Sequence, residues 1–231
     1  MAGTIRRGQG TGRQAAPRRR GPDTTGGPQV VGGGRPGAMP ALSRVGRMTA
    51  APTLPDRDRL LELIVELAVV HGKVTLSSGR EADWYIDMRR LTLHHEGAPL
   101  VGRVMRQVTR DLRYDVVGGL TLGADPVATA MLHAAADGEG FLDACVVRKA
   151  GKAHGLQRRI EGPDVEGRTV LVVEDVSTTG GSPLTAAEAL QEAGAEVVAI
   201  AVIVDRGGRA AVEAAGFEYR AAYEVEDLGL A

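Results

Sequence analysis

The chain of 231 residues contains a single cysteine, Cys145. A lone thiol excludes a disulfide framework and any zinc site built from several cysteines, and it fits a reducing, cytoplasmic setting. No window approaches ~18 uninterrupted apolar residues, which excludes a membrane-spanning helix. The amino-terminal stretch has no apolar core of the kind a secretory signal needs. The lysine-bearing GxxxxGK[ST] loop of nucleoside-triphosphate sites is absent, and so is GxGxxG. No internal repeat is present. His94, His95 and His133 lack metal-ligand spacing, so no metal is assigned to them.

Charge is unevenly spread. The whole chain has 28 basic and 29 acidic residues, a net charge of -1. Residues 1–47 hold nine arginines and one acid (Asp23), with 12 of the 32 glycines, five of the 11 prolines and no aromatic residue. Such a segment buries too little apolar surface to offset its ordering entropy, and it reads as a disordered extension. Met48 or Met39 is then the expected first residue of the native protein. Nucleic-acid binding or organelle targeting is the alternative use of so arginine-rich a head. Residues 48–231 carry 19 basic and 28 acidic residues. That acidic body, long enough for one domain, argues against nucleic acid as the main partner.

Within the body, helical and strand patterns alternate. Asp56 to Val70 (DRDRLLELIVELAVV) is acid-capped and apolar at helical spacing, and His71-Gly72 is expected to stop it. Residues 97–112 form a second helical pattern, with Leu100, Val101, Val104, Met105, Val108 and Leu112 on one face. Short apolar runs of strand type follow at 115–120, 142–148, 169–175 and 196–205, with helical segments near 126–136 and 183–193. Strands apolar on both faces and separated by helices predict an α/β fold, a mostly parallel sheet flanked by helices. Ligands of such sheets sit beyond the carboxyl ends of the strands, so the informative loops follow Leu120, Arg148, Glu174 and Val204.

The loop after Glu174 is the most specific. In TVLVVEDVSTTGGSPL (169–184) an apolar strand runs into two carboxylates, Glu174 and Asp175, then into hydroxyl and glycine residues, then into a helix. Thr178, Thr179, Gly180, Gly181 and Ser182 can turn backbone N–H groups and hydroxyls on one point, and Pro183 suits the first helical position. This reads as a monophosphate cradle. Two acids beside an anion site would repel the ligand unless they hold its hydroxyls or a cation, and a ribose 5-phosphate offers both.

The run VLVVEDVSTTGGS resembles the signature of the type I phosphoribosyltransferases, whose strand, acid pair and Thr/Gly loop bind PRPP or a ribose 5-phosphate. The resemblance spans about residues 55–225, and three further segments are similar to the orotate phosphoribosyltransferases among them. Arg148, Lys149, Lys152 and His154 in VRKAGKAHGLQRRIEG (147–162) look like that family's catalytic loop, a mobile lid that reaches across a dimer interface. GKVTLSSGR (72–80) with Trp84-Tyr85 is similar to its hood over the base, although Val74 and Ser77 stand where an aromatic and a lysine are usual. Lys73 is a candidate stand-in, and core packing is an equally open use of Trp84 and Tyr85. IVDRG (203–207) places Arg206 where the family binds the orotate carboxylate. TLGADP (121–126) takes the place of the pyrophosphate loop, with Gly123 and Asp125 where many relatives have a lysine.

The resemblance therefore implies a type I phosphoribosyltransferase fold with a small amino-terminal hood, in a homodimer. It implies transfer of the phosphoribosyl group of PRPP to orotate, giving orotidine 5′-monophosphate and pyrophosphate. Catalytic roles fall to Lys149, Lys152 and His154. PRPP binding falls to Arg148 and to Glu174, Asp175, Val176, Ser177, Thr178, Thr179, Gly180, Gly181 and Ser182. Orotate binding falls to Thr178 and Arg206. Mg²⁺ is expected to travel with PRPP, without direct protein ligands. The alternatives are transfer to another base, or a regulator that binds PRPP without turnover.

Overall fold

The computed structural model describes residues 55–75, 81–136, 141–149 and 159–230. The expected extension at 1–47, its seam at Met48, the hood residues around Ser77, and Lys152 and His154 of the lid all lie outside them. Six strands form one sheet. In chain order they are β3 (Val116–Leu120), β4 (Asp143–Val147), β5 (Ile160–Glu161), β6 (Thr169–Ser177), β7 (Glu196–Asp205) and β8 (Tyr219–Glu224). Their spatial order is β5-β4-β3-β6-β7-β8, and every pairing is parallel except that of the short edge strand β5 with β4. A separate antiparallel hairpin, β1 (Val69–Thr75) and β2 (Glu81–Ile86), makes the hood.

Alternate residues of the central strands feed two cores. Leu171 and Val173 of β6 and Ala199, Ala201 and Ile203 of β7 pack on one side. They meet α1 (Asp56–Leu63), α3 (Gly97–Val108) and α4 (Ala124–Ala136), through Leu60, Val101, Met105 and Met131 among others. Val170, Val172, Ile200 and Val202 pack on the other side, against Ala186, Ala187 and Leu190 of α5 (Gly181–Glu192) and Val212 of α6 (Arg209–Ala214). Period-two side chains, all apolar, are what a sheet covered on both faces requires. Burying each Val or Leu stabilises by about 1.5–3 kcal/mol before the entropy of ordering is charged against it. No helix among the described residues is long and apolar enough to cross a membrane.

Most boundaries follow the sequence pattern, and the differences have local causes. The first helix stops at Leu63, passes through one wider π-turn at Ile64–Ala68, and becomes strand at Val69 rather than ending at His71. Val69 and Val70 are β-branched and pair with Ile86 and Tyr85, so cross-strand pairing overrides the helical spacing. The second helix ends at Val108. Thr109 Oγ1 bonds the Met105 carbonyl (2.8 Å) and Tyr114 Oη (2.8 Å), and Leu112 packs on the core from the turn beyond.

The chain order creates the crevice that positions the site. β3 is followed by α4 on one face of the sheet, and its neighbour β6 is followed by α5 on the other face. Their carboxyl-end loops therefore part company, a topological switch point. Gly119 allows the two strands to close beneath it: a Cβ there would lie 2.1 Å from the Val173 carbonyl oxygen and 2.6 Å from Ala124 Cβ. Gly119→Ala is expected to lower unfolding free energy by about 1–3 kcal/mol, the usual cost of forcing extra volume into a packed interior. Urea denaturation measures it, and an unchanged midpoint would contradict the close approach.

Candidate active site

Between the carboxyl ends of β3 and β6 lies a cleft of about 510 Å³, lined by Arg89, Thr121, Gly123, Lys149, Glu174, Asp175, Val176 and Ser182 among others. Glu174 is 5 % exposed, and Asp175 beside it is half-buried. Thr121–Gly123 lies directly over them: a Cβ on Gly123 would sit 2.4 Å from Glu174 Oε1 and 2.7 Å from Asp175 Oδ1. Only glycine fits under that constraint. Thr121 Oγ1 donates to Asp125 Oδ2 (2.7 Å), while Asp125 Oδ1 is buried with no hydrogen-bond partner among the described residues. Burial, with the neighbouring Asp175 and Asp125 charges, pushes the Glu174 carboxyl up to about 8. Burial also raises that of Asp175, against the opposing pull of the Val176 amide and the Arg89 guanidinium. A hydroxyl donor or a cation beside Glu174 would favour its ionised form.

The loop after β6 has the expected strand, glycine turn and helix. Thr178 and Thr179 are exposed, Gly180 turns at φ +76°, and α5 begins at Gly181. The first intrahelical bond is Leu184 N–H to the Gly180 carbonyl (3.1 Å), and no side chain caps the helix. The N–H groups of Gly181 and Ser182 therefore point out of a 12-residue helix towards any bound anion. Pro183 is the third helical residue rather than the first, which still sacrifices no intrahelical bond. Ser177 is buried beneath Gly208 and is a supporting residue, whereas Val176 lines the cleft.

Arg206 follows β7 and crosses to the hood, its guanidinium 4.4 Å from the centroid of the Trp84 ring. This answers the open question at Trp84, which faces an arginine instead of filling the core. The turn carrying Arg206 is held by Asp205, a buried carboxylate that accepts from Gly207 N (3.1 Å), Gly208 N (2.8 Å) and Tyr219 Oη (3.0 Å). Arg206 N–H reaches the Ser177 carbonyl (2.8 Å), tying this turn to the phosphate loop. No carboxylate among the described residues pairs with the Arg206 side chain, and partial burial lowers its pKa. Thr178 stands beside the same turn, its carbonyl oxygen 3.5 Å from where a Cβ of Gly207 would be.

The lid is described only at its two ends. β4 and β5 pair antiparallel there, and Arg148 N–H donates to the Arg159 carbonyl (2.8 Å). The Arg148 guanidinium reaches back to Glu161 (3.4 Å), not into the cleft. Lys149, the next residue, is exposed and lines the cleft.

The pattern of the phosphoribosyl transferase domain family matches residues 89–219. The orotate phosphoribosyltransferase of Streptomyces avermitilis is 67 % identical over 177 residues, 75 % of this chain and 97 % of the relative. That of Mycobacterium tuberculosis H37Rv is 60 % identical over 178 residues, 76 % of this chain and 98 % of the relative. This chain belongs to the orotate phosphoribosyltransferase family. The crystal structure of the M. tuberculosis enzyme in complex with PRPP superposes with a TM-score of 0.67 at 53 % identity, covering 76 % of this chain and all of that one.

For an orotate phosphoribosyltransferase, the residues that sequence reasoning missed matter as much as those it named. Asp87 and Arg89 enter the cleft from the start of α2 (Arg89–Thr92), where buried Met88 and Leu91 anchor the turn. The available signal was an acid and an arginine two residues apart, immediately after the aromatic hood strand. Asp205 and Tyr219, which brace the Arg206 turn, had no signal because their meeting is a tertiary event.

The raised Glu174 carboxyl has a consequence for stability. A carboxyl whose folded pKa exceeds its unfolded value stabilises the fold while protonated, and that contribution is lost as pH rises from about 4.5 towards about 8. The ligand-free protein is therefore expected to lose thermal stability across this window. Glu174→Gln should flatten the dependence and melt higher than wild type near pH 8. Equal pH slopes for the two proteins would contradict the burial argument.

Proposed function

We propose that the chain transfers the 5-phosphoribosyl group of PRPP to orotate, forming orotidine 5′-monophosphate and pyrophosphate on the route to UMP. The observation that carries the reading is a glycine-turned helix start beside the Glu174–Asp175 pair, tied through the Arg206 N–H bond to the Ser177 carbonyl to an arginine that lies over Trp84 with no carboxylate partner among the described residues. A guanidinium without a carboxylate partner, half-buried and oriented by an aromatic ring, suits a planar base bearing a carboxylate. A purine would leave that charge unpaired. The names and identity of the relatives support the same acceptor.

In the reaction the C1–oxygen bond to pyrophosphate breaks and the C1–N1 bond to orotate forms, with positive charge developing at the anomeric carbon. No covalent nucleophile is required, so catalysis rests on positioning and on charge stabilisation. Thr178 to Ser182 hold the 5′-phosphate on the α5 amides. Glu174 and Asp175 accept from the ribose hydroxyls, with Val176 and Ser177 shaping the strand end beneath. Arg206 grips the orotate carboxylate with Thr178 alongside. Lys149, Lys152 and His154 neutralise the departing pyrophosphate as the lid closes and excludes water, and Arg148 anchors the lid at its stem.

The described residues contain no cluster of three or more side chains able to hold a metal ion. The oxygen donors present, Glu174, Asp175, Asp125 with its orphaned Oδ1, and Thr121, fit a hard cation that keeps its waters and arrives on phosphate oxygens. Mg²⁺ bound in this way would supply charge neutralisation at the pyrophosphate. A homodimer is part of the proposal. Beside the cleft runs an apolar groove of about 800 Å³, flanked by Leu93 and Leu122, which are 75 % and 68 % exposed. Such leucines suit burial against a second copy, whose lid would then stand next to this cleft. We assign catalysis to residues 48–231, with 1–47 taking no part, and place the enzyme in the cytoplasm, where the buried free thiol of Cys145 is at home. Neither nucleic acid nor a membrane enters the scheme.

Two variants separate the roles. Lys152→Ala removes a contact made as charge develops and should lower kcat by about two orders of magnitude; near-wild-type turnover would remove the lid from the mechanism. Arg206→Ala should raise the KM for orotate about tenfold or more while leaving that for PRPP nearly unchanged. A change confined to PRPP would mean that Arg206 does not recognise the acceptor.

A further inference from the structure

We propose that Arg89 binds the pyrophosphate group of PRPP and holds it against the Thr121–Gly123 loop, an inference that rests on the phosphoribosyl-transfer reading above. The cleft is short of positive charge. Asp87, Glu174 and Asp175 line it, and its only cations among the described lining residues are Arg89 and Lys149. Its proposed substrate carries a 5′-phosphate and a pyrophosphate, so an acid-lined cleft needs a compensating cation on a rigid element. Lys149 is exposed and lies beyond the end of β4, outside any helix or strand. Arg89 stands on a helical turn set by buried Met88 and Leu91.

Its geometry is that of a prepared anion clamp. Asp87 Oδ1 takes the Arg89 Nε–H (2.8 Å) and also the Arg89 backbone N–H (3.3 Å). One edge of the guanidinium is thereby fixed. The two terminal nitrogens have no protein acceptor among the described residues and remain available for a bidentate grip on phosphate oxygens.

Position identifies which phosphate. The α5 amides at Gly181 and Ser182 mark the 5′-phosphate end, and Arg206 over Trp84 marks the base. Arg89 lines the cleft together with Leu122, and the same two residues line the apolar groove that continues from it. Arg89 therefore sits where the loop after β3 meets the cleft. That is the remaining corner of the ligand, the one from which pyrophosphate leaves.

Isothermal titration of the full chain with magnesium pyrophosphate and, separately, with orotidine 5′-monophosphate tests this directly, because only the first ligand has the group that Arg89 is proposed to hold. In Arg89→Ala, pyrophosphate affinity should fall about ten- to a hundredfold while the nucleotide binds within about twofold of wild type. Arg89→Lys, which keeps the charge but loses the planar fork, should lose less. Unchanged pyrophosphate affinity would overturn the assignment. Equal losses for both ligands would overturn it too, since that is the mark of a structural role. A wild-type chain that binds neither ligand would instead refute the transferase reading itself.

Discussion

Two adjacent carboxylates at the end of a central strand, one buried and one half-buried, are the constraint to which the rest of the site answers. Glu174 and Asp175 are placed there by four apolar residues of β6, Val170 to Val173, that cannot leave the core without exposing both faces of the sheet. Once the acids are fixed, the loop above them must be glycine at position 123, and a ligand must bring hydroxyls or a cation to favour their ionised forms. The phosphate loop follows in sequence because a helix beginning at Gly181 is a source of positive potential within reach of the same point. An acid pair and an anion site, incompatible in isolation, become complementary to one molecule, a ribose with phosphate at one end and hydroxyls in the middle.

Around that centre the parallel strands do the positioning. β3, β6 and β7 hold the acids, the phosphate loop and the Arg206 turn through continuous parallel pairing. The Asp205 carboxylate, by collecting two amides and the Tyr219 hydroxyl, turns a strand end into a fixed platform for Arg206. The proposed lid is described only where β4 and β5 clasp its two ends.

Much of this was legible in the chain, for physical reasons that differ by region. The parallel sheet, its strands at 169–177 and 196–205 and the helices between them were readable because burial on both faces leaves uninterrupted Val, Ile and Leu. The phosphate loop was readable because its chemistry is local: strand, acids, glycines and helix are contiguous. The start of β1 was misread as helix because Val69-Val70 continue a helical spacing, and only pairing with β2 decides otherwise. The short elements α6 and β8 went unread, since YRAAYE has little apolar content and owes its strand form to β7. The Asp205–Tyr219 brace was invisible for the same reason, since its two members come from different elements and no spacing encodes their meeting, whereas Arg89 was overlooked although its partner Asp87 is only two residues away.

The central claim is that orotate is the acceptor. Purified full-length protein incubated with PRPP and Mg²⁺, with either orotate or adenine, provides the most direct measurement, followed through the ultraviolet absorbance of orotate and the release of pyrophosphate. The account predicts that orotate absorbance falls in step with pyrophosphate release and that adenine supports neither transfer nor release. Pyrophosphate release driven by adenine, or no consumption of orotate, would contradict it.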